Sequence, residues 1–128
     1  VIVCSGFEVG HGIMTGFDEI PENDNPVCDC YEKFLGKKGP PFFRDSWDLT
    51  AVQYAFEGNG EFYSLSAPVK ITVSDDGVTT AVKDKYSNRY YMVQKAKNAV
   101  IADYLNGILC GNGNIDNNND EMYNNDKQ

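Results

Sequence analysis

The chain opens on VIVCSGFEVG, and its first four residues form an unbroken apolar run. A half-solvated strand alternates apolar and polar positions, whereas a run without polar breaks belongs to a strand covered on both faces, as in a parallel sheet. Val1–Cys4 is therefore expected to be a central strand, which requires neighbours on both sides. A chain that starts in mid-sheet reads as truncated on its N-terminal side. An open strand edge would also let it pair with a second copy as a homo-oligomer. A signal peptide needs a basic start and a longer apolar core, and VIVC has neither.

With 128 residues, the chain can build about one small domain, burying roughly two thirds of its unfolded surface. No apolar run approaches the roughly 20 residues of a membrane helix, so no membrane partner is expected and no compartment is assigned. The net charge of −8, with no offsetting Lys/Arg cluster, repels a phosphate backbone and argues against nucleic acid. Cys4, Cys28, Cys30 and Cys110 are too sparse for a disulfide scaffold and lack C-x-x-C spacing. They read as reduced, partly buried thiols, with a shared zinc site as the weaker alternative.

In NDNPVCDCYEKFLG, Asn25 is placed to cap a helix that begins at Pro26 and stops at Gly36. Val27, Cys30, Tyr31 and Phe34 fall on one face, which puts Cys30 towards the core and Cys28 away from it. KKGPPFFRDS follows as an irregular loop, because two prolines forbid regular pairing. In RDSWDLTAVQYAFEG, Asp45 or Ser46 caps a second helix that ends at Gly58. Leu49, Val52 and Phe56 form its expected core face, with Trp47 as an anchor. Asp48 then sits in the first turn, where a carboxylate stabilises the helix dipole by about 0.3–1 kcal/mol.

Beyond Gly58 the apolar period becomes two. EFYSLS, VKITV, VTTAV and RYYMVQ read as an antiparallel meander, turned at Asp76-Gly77. Ile101, Tyr104, Leu105 and Ile108 mark one face of a last helix. The domain is expected over residues 1–110, with 111–128 as an Asn-rich disordered tail. DNNNDEMYNNDK within that tail lacks the glycine and the final glutamate of a calcium loop.

Four other groups admit a chemical and a structural reading. His11, the only histidine, stands between glycines and could give a proton to a leaving group, or simply occupy a surface loop. Glu8 follows the first strand, at the end where ligands of parallel sheets gather, or it serves only the loop backbone. Asp75-Asp76-Gly77 has the composition of a metal loop and the spacing of a hairpin turn. Tyr54, Tyr90 and Tyr91 could stack on a base, or pack.

The order VIVCSGFEVG, NPVCDCYEKFLG, RDSWDLTAVQYAFEG, FYSLSAPVKITVSDDGVTT and RYYMVQK resembles the C-terminal part of the inosine/uridine-preferring nucleoside hydrolase family, in a branch written S-W-D-x-T-A-V. The resemblance covers residues 1 to 110. It implies an α/β fold: the C-terminal portion of a Rossmann-like mixed sheet with an antiparallel meander and flanking helices. It also implies hydrolysis of the N-glycosidic bond of ribonucleosides, with one Ca²⁺ holding the ribose hydroxyls and the attacking water. Asp48 matches the family's C-terminal calcium ligand, which also meets the ribose, and Trp47 and Glu8 join it as substrate-side residues. Trp47 stands where many characterised members carry a histidine that protonates the leaving base. The family's N-terminal D-x-D-x-G-x-D-D cluster is absent from this chain, which leaves no assigned catalytic base. The chain is expected to bind a ribonucleoside only when completed by an N-terminal half, and to be inactive alone. The alternative is a noncatalytic remnant or interaction domain of the same fold.

Overall fold

The computed structural model describes residues 1–16 and 25–111; the tail beyond Gly111, with its calcium-loop-like segment, lies outside the described residues. Among the described residues the fold is mixed α/β, with three helices and small mixed and antiparallel sheets. In order, its elements are β1 (Ile2–Cys4), β2 (Met14–Thr15), α1 (Pro26–Leu35), β3 (Arg44–Asp45) and α2 (Trp47–Glu57). There follow β4 (Tyr63–Leu65), β5 (Val69–Val73), β6 (Thr79–Lys83), β7 (Arg89–Gln94) and α3 (Asn98–Leu109).

Local chemistry sets the ends of α1. Asn25 Oδ1 accepts the Val27 N–H at 3.0 Å, Pro26 occupies the first turn where no N–H is needed, and Gly36 closes the helix at φ 61°. Its facing differs from the sequence expectation: Cys28 is buried and Cys30 exposed. The helix turns Cys28, Val27 and Tyr31 onto Phe42, which is completely buried, and the Tyr31 and Phe42 rings stack at 5.8 Å. The stripe Cys30–Phe34 borders a groove instead.

The sheets bear on two further expectations. β1 does pair in parallel, Ile2 opposite Arg89 to Cys4 opposite Tyr91, but it lies at one end of the order β1-β7-β4. The central strand is β7. Among the described residues β1 has a partner strand on one side only, and Val1 is 90% and Ile2 46% exposed, the exposed apolar surface expected of a strand without its neighbours. The meander is also broken into two pairings. β7 runs antiparallel to β4, while β5 and β6 form a separate hairpin that this pairing encloses. Alternation specifies a strand without specifying its partner. Here the Ser66 N–H continues the β4–β7 ladder to Tyr91 O at 2.9 Å, and Pro68, which cannot donate, ends it. The hairpin turns as expected: Ser74 N donates to Val78 O at 3.0 Å and Gly77 takes φ 84°.

The main core gathers Val9, Ile13, Tyr63, Met92, Ile101 and Leu105 around α3. Ile101 and Leu105 occupy the face expected for α3, whereas Tyr104 and Ile108 of that same stripe are 41% and 51% exposed. On α2 the expected apolar face is largely outside, with Val52 53% and Phe56 88% exposed, and the stripe Ser46, Thr50, Gln53 is buried in its place. Each inward polar group is paired. Ser46 Oγ donates to Ile13 O at 2.6 Å, Thr50 Oγ1 to Trp47 O at 2.9 Å, and Gln53 Oε1 accepts the Tyr63 hydroxyl at 2.7 Å. No buried side-chain polar atom among the described residues lacks a partner, which is the condition for placing polar groups inside.

The Tyr63 hydroxyl carries a testable consequence. Burial, and then the negative charge of Glu57, push its pKa well above the usual tyrosine value. A raised folded-state pKa means that the neutral hydroxyl is favoured by folding. This contribution is fully present below the unfolded pKa of about 10 and is lost as pH rises beyond it. Tyr63→Phe is expected to cost about 1–3 kcal/mol near neutrality, because Gln53 Oε1 is left without its donor. It should also flatten the loss of stability above about pH 10. Urea unfolding of both proteins across that range measures both effects, and parallel curves would refute the assignment.

Candidate functional site

Beyond Cys4 the chain folds back over the start of α2, and glycines allow the two backbones to touch. Gly10 adopts φ 106°, and its carbonyl accepts the N–H groups of Ser46 at 3.1 Å and Ile13 at 3.2 Å. A Cβ at Gly10 would stand 2.6 Å from Trp47 Cα, so only glycine fits this approach. Trp47 Nε1 donates to Phe7 O at 2.9 Å, and the Gly12 N–H donates to Asp45 Oδ1 at 2.6 Å. The loop is thus pinned to β3 and to the first residue of α2.

These contacts assemble three rings on the surface. Phe7 and His11 stack with centroids 4.8 Å apart, Phe7 and Trp47 lie 5.5 Å apart, and His11 and Trp47 are 6.3 Å apart and nearly parallel. Trp47 is half-exposed and held by its indole N–H, in contrast to the core anchor expected of it. His11 Nδ1 comes within 3.5 Å of Asp45 Oδ1.

Asp48 follows Trp47 in the first turn of α2 and is exposed. It borders a groove of about 340 Å³ between α1 and the start of α2, with Val27, Tyr31, Phe34, Arg44 and Asp45 among its walls. The Arg44 guanidinium lies over the Phe34 ring at 3.9 Å from its centroid. Glu8 lies elsewhere. It borders a wider cleft of about 1020 Å³ between the Cys4–Val9 segment, β7 and the β5–β6 hairpin. Its carboxylate folds over Gly6, where a Cβ would meet Glu8 Oε1 at 2.6 Å. Trp47 and Asp48 therefore border one groove, His11 packs against the Trp47 ring beside it, and Glu8 lines a neighbouring cleft.

The remaining candidates take structural roles. Ser74 Oγ bonds Asp76 Oδ1, and together with the Val78 backbone it holds the Asp76 carboxyl below its usual range, within the hairpin turn. Tyr54 donates to Asn59 Oδ1 at 3.0 Å and meets Tyr63 edge-on. Tyr90 and Tyr91 are half-buried on β7. Asp45, considered from the sequence only as a helix cap, proves to be the partner of His11. It stands far along the chain from that residue, so no local spacing announces the contact.

Calcium takes six to eight oxygen ligands. Among the described residues no three His, Cys, Asp or Glu side chains converge where one ion could be held. Asp45 Oδ1 already serves Gly12 and His11, which leaves Asp48 as a single exposed carboxylate. These residues do not fit a calcium site by themselves. Comparisons with protein-family models, curated proteins and solved structures return no match for this chain.

Proposed function

We propose that this chain is the C-terminal segment of a nucleoside-hydrolase-like N-glycosidase, completed by an N-terminal half that brings the ligands and the base it lacks. The supporting observation is the division of labour within S-W-D-L-T-A-V. Ser46 and Thr50 are buried and spent on backbone carbonyls, whereas Trp47 and Asp48 are presented outward at the mouth of the groove. The buried polar residues that folding needs are thus separate from the exposed Asp48 carboxylate and from the Trp47 ring, whose N–H alone is committed, to Phe7 O. Asp48 is the ribose-side carboxylate in this reading, Trp47 borders the substrate, and Glu8 contributes from the neighbouring cleft. Any calcium site draws most of its oxygens from the missing half.

Asp48→Asn separates this role from that of a helix-start charge. The fold should lose less than about 1 kcal/mol, because only the dipole interaction is removed. With an N-terminal nucleoside-hydrolase half and calcium supplied in trans, the wild-type chain should release base from inosine or uridine and the variant should not. The chain alone should release none. Equal release by wild type and variant would remove Asp48 from the site. The second reading, an interaction module without chemistry, is favoured by the exposed Val52 and Phe56 on α2, and it predicts no release in any combination.

A further inference from the structure

We infer that His11, held by Asp45 against the rings of Phe7 and Trp47, is the proton donor to the departing base. This rests on the glycosidase reading above. Asp45 Oδ1 lies 3.5 Å from His11 Nδ1, and the same oxygen is fixed by the Gly12 N–H at 2.6 Å. This contact turns Nδ1 of the imidazole towards Asp45. Nε2–H is then the proton available to a ligand, and the histidine side chain is 58% exposed. Asp45 has no other ion-pair partner among the described residues.

The surroundings suit a planar heteroaromatic. The three rings offer apolar surface on which any base can stack, and Trp47 precedes Asp48 directly, so base and ribose would meet adjacent residues. The positive-φ glycines on either side of His11, Gly10 at 106° and Gly12 at 76°, are both tied to α2 or β3. The ring is thereby held in place although it lies on a loop. The other charged groups of the elements around it are Asp48 of α2, Glu8 of its own loop and Arg44 of β3, the last committed to Phe34.

The C1′–N bond breaks with its electron pair going to the base, and the base ring takes the proton from His11 Nε2. Water adds its hydroxyl to C1′, and its remaining proton returns through solvent to the neutral imidazole. A base departing without that proton would carry the full negative charge, so general acid help is worth roughly 10²–10⁴-fold.

Trp47 is the only tryptophan in the sequence, so indole fluorescence reports on this cluster. Titrating the 128-residue chain with hypoxanthine should quench it saturably, and His11→Ala, checked for an unchanged fold by circular dichroism, should bind roughly tenfold more weakly. Absence of quenching, or equal affinity in the variant, would overturn the inference. In the complemented enzyme, His11→Ala should lose roughly 10²-fold on inosine and far less on nitrophenyl riboside, whose phenolate leaves without a proton. Equal losses on both substrates, or none, would likewise overturn it. If the wild-type assembly cleaves neither substrate, the glycosidase reading fails, and with it the donor role, even where hypoxanthine still binds through His11.

Discussion

Replacing Gly16 with alanine is expected to bring the chain close to unfolding. Gly16 follows β2 at φ 152°, and a Cβ there would lie 1.8 Å from Phe42 O and 2.5 Å from Phe42 C. Both are backbone atoms, so no side chain can rotate away. The strained backbone contributes about 1–3 kcal/mol and the overpacking about as much again, on the order of 4 kcal/mol together. Domains of this size hold only about 5–15 kcal/mol. The displacement would also reach α3, because the Gly16 N–H donates to Asn106 Oδ1 at 2.9 Å. Gly36→Ala is the control: it too has positive φ, at 61°, but nothing lies within 4 Å of its Cβ position, so it should cost about 1–2 kcal/mol. Urea midpoints that fall equally for the two variants would refute the close approach.

The second large effect separates two residues that the sequence puts on one helical stripe. Ile101 of α3 is completely buried in the main core, and Ile101→Ala should cost about 2–5 kcal/mol through lost transfer energy and the cavity left behind. Ile108, 51% exposed, should change stability by no more than about 0.5 kcal/mol when truncated. Thermal or urea unfolding of the two variants checks the facing of α3, and similar losses would show that the stripe is buried along its whole length.

What the sequence made legible is the chemistry that acts over a few residues. Asn25, Pro26 and Gly36 bound α1, Gly58 ends α2, and Asp76-Gly77 turns the hairpin, because each acts on backbone groups within its own turn. Facing was harder to read. The stripe Leu49, Val52, Phe56 is more apolar than Ser46, Thr50, Gln53, yet the polar stripe lies inside because Ile13, Trp47 and Tyr63 supply its hydrogen-bond partners. Those partners come largely from other elements, and helical periodicity contains no information about them. Cys28 and Cys30 exchanged roles for a similar reason, since burial on α1 follows the position of Phe42. Around the candidate site, Asp48 and Trp47 were singled out by a local motif. The His11–Asp45 pair depends on how the loop after β1 crosses α2, a long-range contact that only the fold supplies.

The parallel pairing of β1 with β7 bears on how the chain reaches its structure. Ile2 must meet Arg89, which requires closing nearly the whole described chain into one loop, whereas the β5–β6 hairpin closes within a few residues and β4–β7 around it. Closure entropy is lost before such distant contacts return anything. The hairpin and the antiparallel ladder are thus expected to assemble first and present β7 as a template, with β1 docking last. Because the loop carrying His11 hangs from β1, the ring cluster on Trp47 would then mature only in the final folding phase, and indole fluorescence would lag behind the backbone signal.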